Sequence, residues 1–263
     1  MRLGDIDVAY ADHGSGPPVV LVHGLAEDRG SWPQAQRELP GRRTVAYDLR
    51  GHGETGLGAA DGTLTQLGGD LVALLEGLTG PAACVGFSLG GTVVLRAAVD
   101  RPDLVTRAVV LGTSSVVGRA AVGFYEQRIA LVQSGNAGAV RAALHDDTAA
   151  AVVQADAETV DAVVDQRVAA VGGGAGYVNA ARAMAGLRES PLTPELGRVR
   201  CHVDVIGADG DAFCPRKAAD ILLDSLPDAG YHEVAGAGHL MNVDRPESVT
   251  ELLRRLLDLR EAS

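Results

Sequence analysis

Val85-Gly86-Phe87-Ser88-Leu89-Gly90-Gly91 closes one apolar run, Ala82 to Phe87, and opens a helical pattern running from Leu89 toward Ala98. A short apolar run bounded by glycine suits a strand buried on both faces. A serine at the junction occupies a very sharp turn with strained backbone angles, and Gly86 and Gly90 remove side chains that would clash with neighbouring backbone. Its hydroxyl then projects above the sheet edge. The helix beginning beside it aims free N–H groups at any negative charge that forms there. The plainer reading is a glycine-rich turn with an incidental serine; the strand before it and the helix after it favour the reactive one.

The rest of the chain repeats this strand-then-helix alternation. Val19 to Val22, Thr44 to Tyr47, Arg107 to Leu111, Val203 to Ile206 and Tyr231 to Val234 are further compact apolar runs. Between some of them lie helical stripes: Leu64, Leu67, Leu71, Leu74, Leu75 and Leu78, and later Val249, Leu252, Leu253, Leu256 and Leu257. Asp244-Arg245-Pro246-Glu247 reads as the start of that last helix, with a capping side chain and an early proline. Right-handed crossovers then give an α/β fold, a mostly parallel doubly wound sheet with helices on both sides. Residues 3–11 read as one strand with the Gly14-Ser15-Gly16-Pro17-Pro18 turn after it, a pair suited to an antiparallel edge. Residues 114–198 break the alternation, with helical patterns at Ala120–Ser134, Ala137–His145, Ala157–Val171 and Gly176–Leu187. We read them as a helical cap inserted into a core made of 1–113 and 199–263, ordinary crossovers being the alternative. Gly172-Gly173-Gly174 offers a flexible joint within it.

A serine hydroxyl needs a base, and the base needs a group to orient it. Of seven histidines, only His239 falls late in the chain just after an expected strand, in Gly236-Ala237-Gly238-His239. Loops at the carboxyl ends of strands are where open parallel sheets carry reactive groups. The orienting carboxylate should lie on another such loop, and Ala208-Asp209-Gly210-Asp211 follows the Val203 strand. Asp211, four residues before Pro215, is preferred, with Asp209 as the alternative.

Composition narrows the partners. The chain has 263 residues, 46% of them hydrophobic, and a formal net charge of -11. Nucleic acid and anionic membrane surfaces reward a cationic face, so neither is an expected partner; a small-molecule substrate is. Three scattered cysteines, Cys84, Cys201 and Cys214, suggest neither a disulfide framework nor a metal cluster. The start carries no secretion-type pattern and no run approaches the roughly 20 apolar residues of a membrane span. A soluble, cytoplasmic protein is expected.

Together these residues resemble the α/β-hydrolase superfamily over almost the whole chain. The order Ser88, Asp211, His239 matches the superfamily's serine, acid, histidine order. Val20-Leu21-Val22-His23-Gly24-Leu25 is similar to its His-Gly loop, and Asp48-Leu49-Arg50-Gly51-His52-Gly53 to its Asp-x-Arg-Gly-His-Gly segment, which is structural there. Many members place the acid three residues after the glycine ending the strand, whereas Asp211 lies four after Gly207, which keeps Asp209 open.

The resemblance implies acyl transfer by a Ser88-His239-Asp211 triad. The backbone N–H groups of Leu25 and Leu89 would form the oxyanion hole, and no metal or organic cofactor is required. A small ester or lactone is the expected substrate. Thioester or carbon–carbon bond hydrolysis, a cofactor-free perhydrolase or lyase, and a catalytically silent ligand-binding protein are the alternatives. A serine nucleophile argues against the superfamily's dehalogenase and epoxide-hydrolase branches. Phe124, Tyr125, His145, Tyr177 and Met184 in the insertion are candidates to face the substrate, cap packing being the competing role. With 3% aromatic residues, a moderate aliphatic cleft is expected rather than a large aromatic cage.

Overall fold

The apolar runs pair into a seven-stranded sheet in the computed structural model, which describes residues 1–258. The strands are β1 (Arg2–Leu3), β2 (Ile6–Asp7), β3 (Tyr10–Gly14), β4 (Pro18–Val22), β5 (Arg43–Tyr47), β6 (Ala82–Phe87), β7 (Val105–Leu111), β8 (Val203–Ala208) and β9 (Ala229–Val234). The helices are α1 (Gln34–Arg37), α2 (Leu64–Leu74), α3 (Leu89–Asp100), α4 (Arg119–Gln133) and α5 (Ala137–Ala150). They continue with α6 (Ala157–Val171), α7 (Ala175–Gly186), α8 (Arg216–Ser225), α9 (Met241–Asp244) and α10 (Pro246–Asp258). The sheet runs β3-β5-β4-β6-β7-β8-β9; β3 is antiparallel to β5 and every other neighbour pair is parallel.

Alternation along each strand divides the core into two layers. Val20, Val22, Cys84, Val110 and Val205 face one side, where Leu67 and Leu71 of α2, Val93 of α3 and Leu222 of α8 cover them. Val19, Leu21, Val85, Val109 and Ile206 face the other, against Trp32, Leu39 and the Val249, Leu253, Leu256 stripe of α10. Helices on both faces make this the doubly wound α/β architecture.

The amino-terminal region departs from the expected single strand. Residues 3–11 split into a small β1–β2 hairpin, turned by Gly4 at φ +54°, and the separate edge strand β3. The antiparallel edge forms, but β3 pairs with β5 and not with β4, its neighbour in sequence, because β5 lies between them. Thr63 caps α2 by accepting the Gln66 N–H at 3.1 Å, and the stripe ends in a wider turn closed by Gly80 N–H to the Leu75 carbonyl.

Helices α4 to α7 all fall between the adjacent parallel strands β7 and β8. They pack α4 on α7 and α5 on α6, with α7 also resting on α2. Leu144, Val171, Tyr177 and Ala181 form a small cluster of their own with Ala26.

At the β6–α3 junction the glycines are sterically required. A Cβ on Gly86 would collide with the carbonyl of Gly90, and one on Gly90 with the carbonyls of Val22 and His23. Gly90→Ala is therefore expected to cost about 2 kcal/mol or more, because both obstacles are backbone of a buried strand end. A thermal melt within a degree of wild type would refute this packing.

Candidate active site

Ser88 sits between β6 and α3 with φ 51° and ψ −116°, a backbone region costly for any residue with a side chain. Its N–H is held by the Leu111 carbonyl at 2.8 Å, tying the turn to the end of β7. Three other loops reach the same rim from the carboxyl ends of β4, β8 and β9, bringing His23 to Glu27, Asp209 to Cys214, and Gly236 to Leu240.

These loops bring Ser88, His239 and Asp211 together, although they are distant in sequence. His239 Nε2 lies 3.0 Å from Ser88 Oγ, and its Nδ1 lies 2.8 Å from Asp211 Oδ2. With the proton on Nδ1, the imidazole donates to Asp211 and accepts from the Ser88 hydroxyl. The other Asp211 oxygen accepts the N–H groups of Phe213 and Cys214, both at 2.8 Å. Burial alone would raise the Asp211 carboxyl. The hydrogen bond and charge of His239, with the two N–H donors, outweigh burial and hold it below the ordinary carboxylate value. Asp209, the alternative acid, is exposed and accepts from Gly236 and Ala237 N–H, so it braces the loop that carries His239 without touching the ring.

Asp244 does not cap α10 as its sequence context suggests. Its carboxylate instead accepts N–H groups from Val153, Gln154, Ala155 and Gly238, joining the loop after α5 to the residue before His239. The sheet rim, rather than the helix, claims this acid, since four converging donors offer more than one helix end.

His23 and His52 are buried braces. His23 Nδ1 meets the Gly24 carbonyl at 2.8 Å while Nε2 accepts the Leu49 N–H at 2.9 Å. Burial pushes the His23 imidazole down to about 4 and that of His52 to about 3, so both stay neutral. Asp48, fully buried, takes the N–H groups of Arg29 and Glu54.

Ser88 and His239 open into a cavity of about 510 Å³ roofed by the helices between β7 and β8. Phe124, Tyr125, Tyr177 and Met184 line it, as does Leu25. Leu89 is the first residue of α3, and the opening N–H groups of a helix have no intrahelical acceptor. His145 does not reach the cavity. Helical periodicity turns Leu144, Asp147 and Thr148 of α5 inward, leaving His145 exposed on the outer face beside Asp146 and Asp161. The wall is also more aromatic than composition suggests. All three phenylalanines of the chain, Phe87, Phe124 and Phe213, lie on it, with the Phe87 and Phe213 rings 5.1 and 5.3 Å from that of His239.

Sequence reasoning missed Glu27, Asp147 and Arg167, the charged side chains on this wall. Helical periodicity on α5 and α6 could have pointed two of them inward; nothing short of the folded loop positions Glu27. Its carboxylate accepts the Gly24 N–H at 2.8 Å, and burial raises its pKa against the opposing pull of Arg167. Cys214 also lines the wall, and burial, with the Asp211 charge, pushes its thiol well up, away from the thiolate form. Among the described residues no group of three or more His, Cys, Asp or Glu side chains is arranged to hold a metal ion. Nor is any helix among them long and apolar enough to cross a membrane.

Comparison with known proteins agrees with this architecture. The model of the Alpha/beta hydrolase family matches residues 19–252. A Mycobacterium tuberculosis protein provisionally named a non-heme bromoperoxidase, BpoC, is 30% identical, the match covering 93% of this chain and 95% of that one. An Escherichia coli protein provisionally named a carbamate hydrolase, RutD, is 30% identical with both chains fully covered. Among solved structures, a thermophilic esterase from Thermogutta terrifontis superposes with a TM-score of 0.80 at 27% identity, covering 96% of this chain and 93% of that one. The fold is shared with the enol-lactonase of Burkholderia xenovorans, at TM-score 0.83, 23% identity and 96% coverage of each chain.

Proposed function

The chain belongs to the alpha/beta hydrolase family, and on that premise we propose that it is a serine hydrolase cleaving a small ester or lactone through an acyl-enzyme. The observation that carries this reading is the hydrogen-bonded line from Asp211 through His239 to Ser88, opening into the cavity. As Ser88 Oγ attacks the carbonyl carbon, its proton passes to His239 Nε2, while Asp211 keeps the Nδ1 proton in place and stabilises the imidazolium. The N–H groups of Leu25 and Leu89 receive the oxyanion. Losing one such donor typically costs about 3 to 4 kcal/mol of transition-state stabilisation. The leaving alcohol collects the proton from Nε2. Water then attacks the acyl carbonyl with His239 as base, releasing the carboxylic acid and restoring the serine.

The helices within 114–198 act in this reading as a cap whose inner face, including Phe124, Tyr125, Tyr177 and Met184, selects the acyl group. Likeness to BpoC supports a second reading, in which hydrogen peroxide replaces water and the product is a peracid.

A fluorophosphonate probe should label Ser88, and p-nitrophenyl acetate should give a burst followed by steady turnover. Labelling without turnover on any short ester, lactone or thioester would overturn the hydrolase reading. Peroxide-dependent peracid formation faster than hydrolysis would favour the second reading. A protonated imidazole cannot accept from the Ser88 hydroxyl, so kcat/KM is expected to fall on acidification. Asp211, held below the ordinary carboxylate value, is still ionised as the fall begins. Activity that does not fall on acidification would remove histidine from the role of base.

A further inference from the structure

Charges on a mostly apolar wall are expensive unless something answers them, and the three on this wall differ in how they are answered. Asp147 is met by the Arg128 guanidinium, with Nε at 2.8 Å from one oxygen and Nη2 at 2.6 Å from the other. Glu27 takes the Gly24 N–H, and burial shifts it toward its neutral form. Arg167, on α6, is the one Lys or Arg among the described residues lining the cavity. Its Nη1 donates to the neutral Thr148 hydroxyl at 2.7 Å, while its Nε is buried with no partner. Among the described residues no carboxylate lies within 4.0 Å of this half-buried side chain as an ion pair, whereas the two buried arginines described, Arg50 and Arg96, sit in bidentate carboxylate contacts, Arg50 with Asp70 and Arg96 with Asp100 and Glu195.

We infer that Arg167 is a substrate anchor: the ester or lactone taken into this cavity carries a carboxylate, which the Arg167 guanidinium receives while the scissile carbonyl lies at Ser88. A guanidinium keeps its charge at any working pH and offers a planar fork matched to a carboxylate. As a residue of the cavity wall with no carboxylate ion-paired to it among the described residues, Arg167 can turn that fork to an arriving anion without giving up an ion pair. The charge count favours a monoanion over a phosphate ester. Arg167 offers one positive charge, Asp147 is already matched by Arg128, and Glu27 is shifted toward its neutral form, so the wall balances one negative charge and leaves a second unanswered. The aromatic and aliphatic remainder of the wall fits the hydrocarbon linking the two ends of such a substrate. Arg167 takes no part in bond making; it sets which acyl groups are held over Ser88.

This substrate class rests on the hydrolase reading, so the test separates the two. Turnover of p-nitrophenyl monoesters of the straight-chain dicarboxylic acids from succinic to suberic would be compared with that of their methyl-capped neutral counterparts. For the best chain length, wild type should prefer the free acid, and the ratio of kcat/KM values, acid over capped, should fall roughly tenfold or more in Arg167→Met. The loss should fall mainly in KM, with partial return in Arg167→Lys. Independently, the unesterified diacid should bind wild type by calorimetry roughly tenfold or more tightly than its diamide, and Arg167→Met should lose that difference. If no ester turns over but the diacid preference is present and depends on Arg167, the anchor stands and the hydrolase reading falls. If wild type shows no acid preference at any chain length, in turnover or in binding, or if the preference survives in Arg167→Met, the anchor is overturned.

Discussion

Asp211→Asn is expected to lower kcat about 10⁴-fold, while Asp209→Asn leaves it within a few-fold of wild type. The two side chains stand two residues apart on the loop after β8, yet their hydrogen bonds differ in kind. In Asp211→Asn the remaining oxygen would stay with the Phe213 and Cys214 N–H groups, since both already point at one oxygen. The new amide NH2 would then face His239 Nδ1, which must become the acceptor. The ring proton moves to Nε2, and the Ser88 hydroxyl loses the lone pair it needs. In Asp209→Asn an oxygen can still take the Gly236 and Ala237 N–H groups, so the loop stays in place. Steady-state kinetics at saturating ester, read beside thermal melts, decides the matter. A reversed order of losses would make Asp209 the orienting acid. Stability carries a related sign: a carboxyl whose folded pKa lies below its unfolded value stabilises above the unfolded value and loses that contribution as pH falls through the folded one.

Ser88→Ala should reduce kcat/KM roughly 10⁴-fold or more, because His239 then has no hydroxyl to activate and any residual rate comes from binding and oxyanion donors alone. A companion variant makes the experiment structural as well as chemical. Ser88 holds φ 51° and ψ −116°, where a side chain costs about 1 to 3 kcal/mol. Alanine keeps the Cβ and the cost. Glycine sheds it but gives back about 0.4 to 1 kcal/mol through its freer unfolded chain. Ser88→Gly should therefore be the more stable of two equally inactive variants, by about 1 kcal/mol or roughly 3 °C in Tm. Greater stability in Ser88→Ala would mean that the turn is not strained. Substantial turnover in either variant would remove Ser88 from the chemistry.

Much of the frame was legible because its signals are local. The buried parallel strands appear as apolar runs, and the α6 pattern at Ala157–Val171 matches its observed span. Gly86 and Gly90 announce a turn too tight for side chains, and the structure shows the carbonyls that enforce it. Local signals failed where a distant partner decided the outcome. The β3 strand pairs with β5 although β4 follows it in sequence. Asp244 looks like a helix cap but answers N–H groups about ninety residues away. His145 and Asp147 lie two positions apart on one helix and so on different faces, and the fold buries the face of Asp147 with Leu144 and Thr148. A low aromatic content suggested an aliphatic cleft, yet composition says nothing of clustering, and every phenylalanine meets at this cavity.

By itself the sequence determined the α/β alternation, the serine turn and the order in which serine, acid and histidine follow one another, because apolar periodicity and glycine sterics act over a few residues. Tertiary structure alone decided which of two neighbouring aspartates meets His239, and that Arg167 of α6 joins the same cavity wall with no carboxylate ion-paired to it among the described residues. Hydrogen bonds and charge pairing depend on distances of a few ångströms between residues far apart in the chain, 151 positions for Ser88 and His239, and only the assembled sheet with its loops sets those distances.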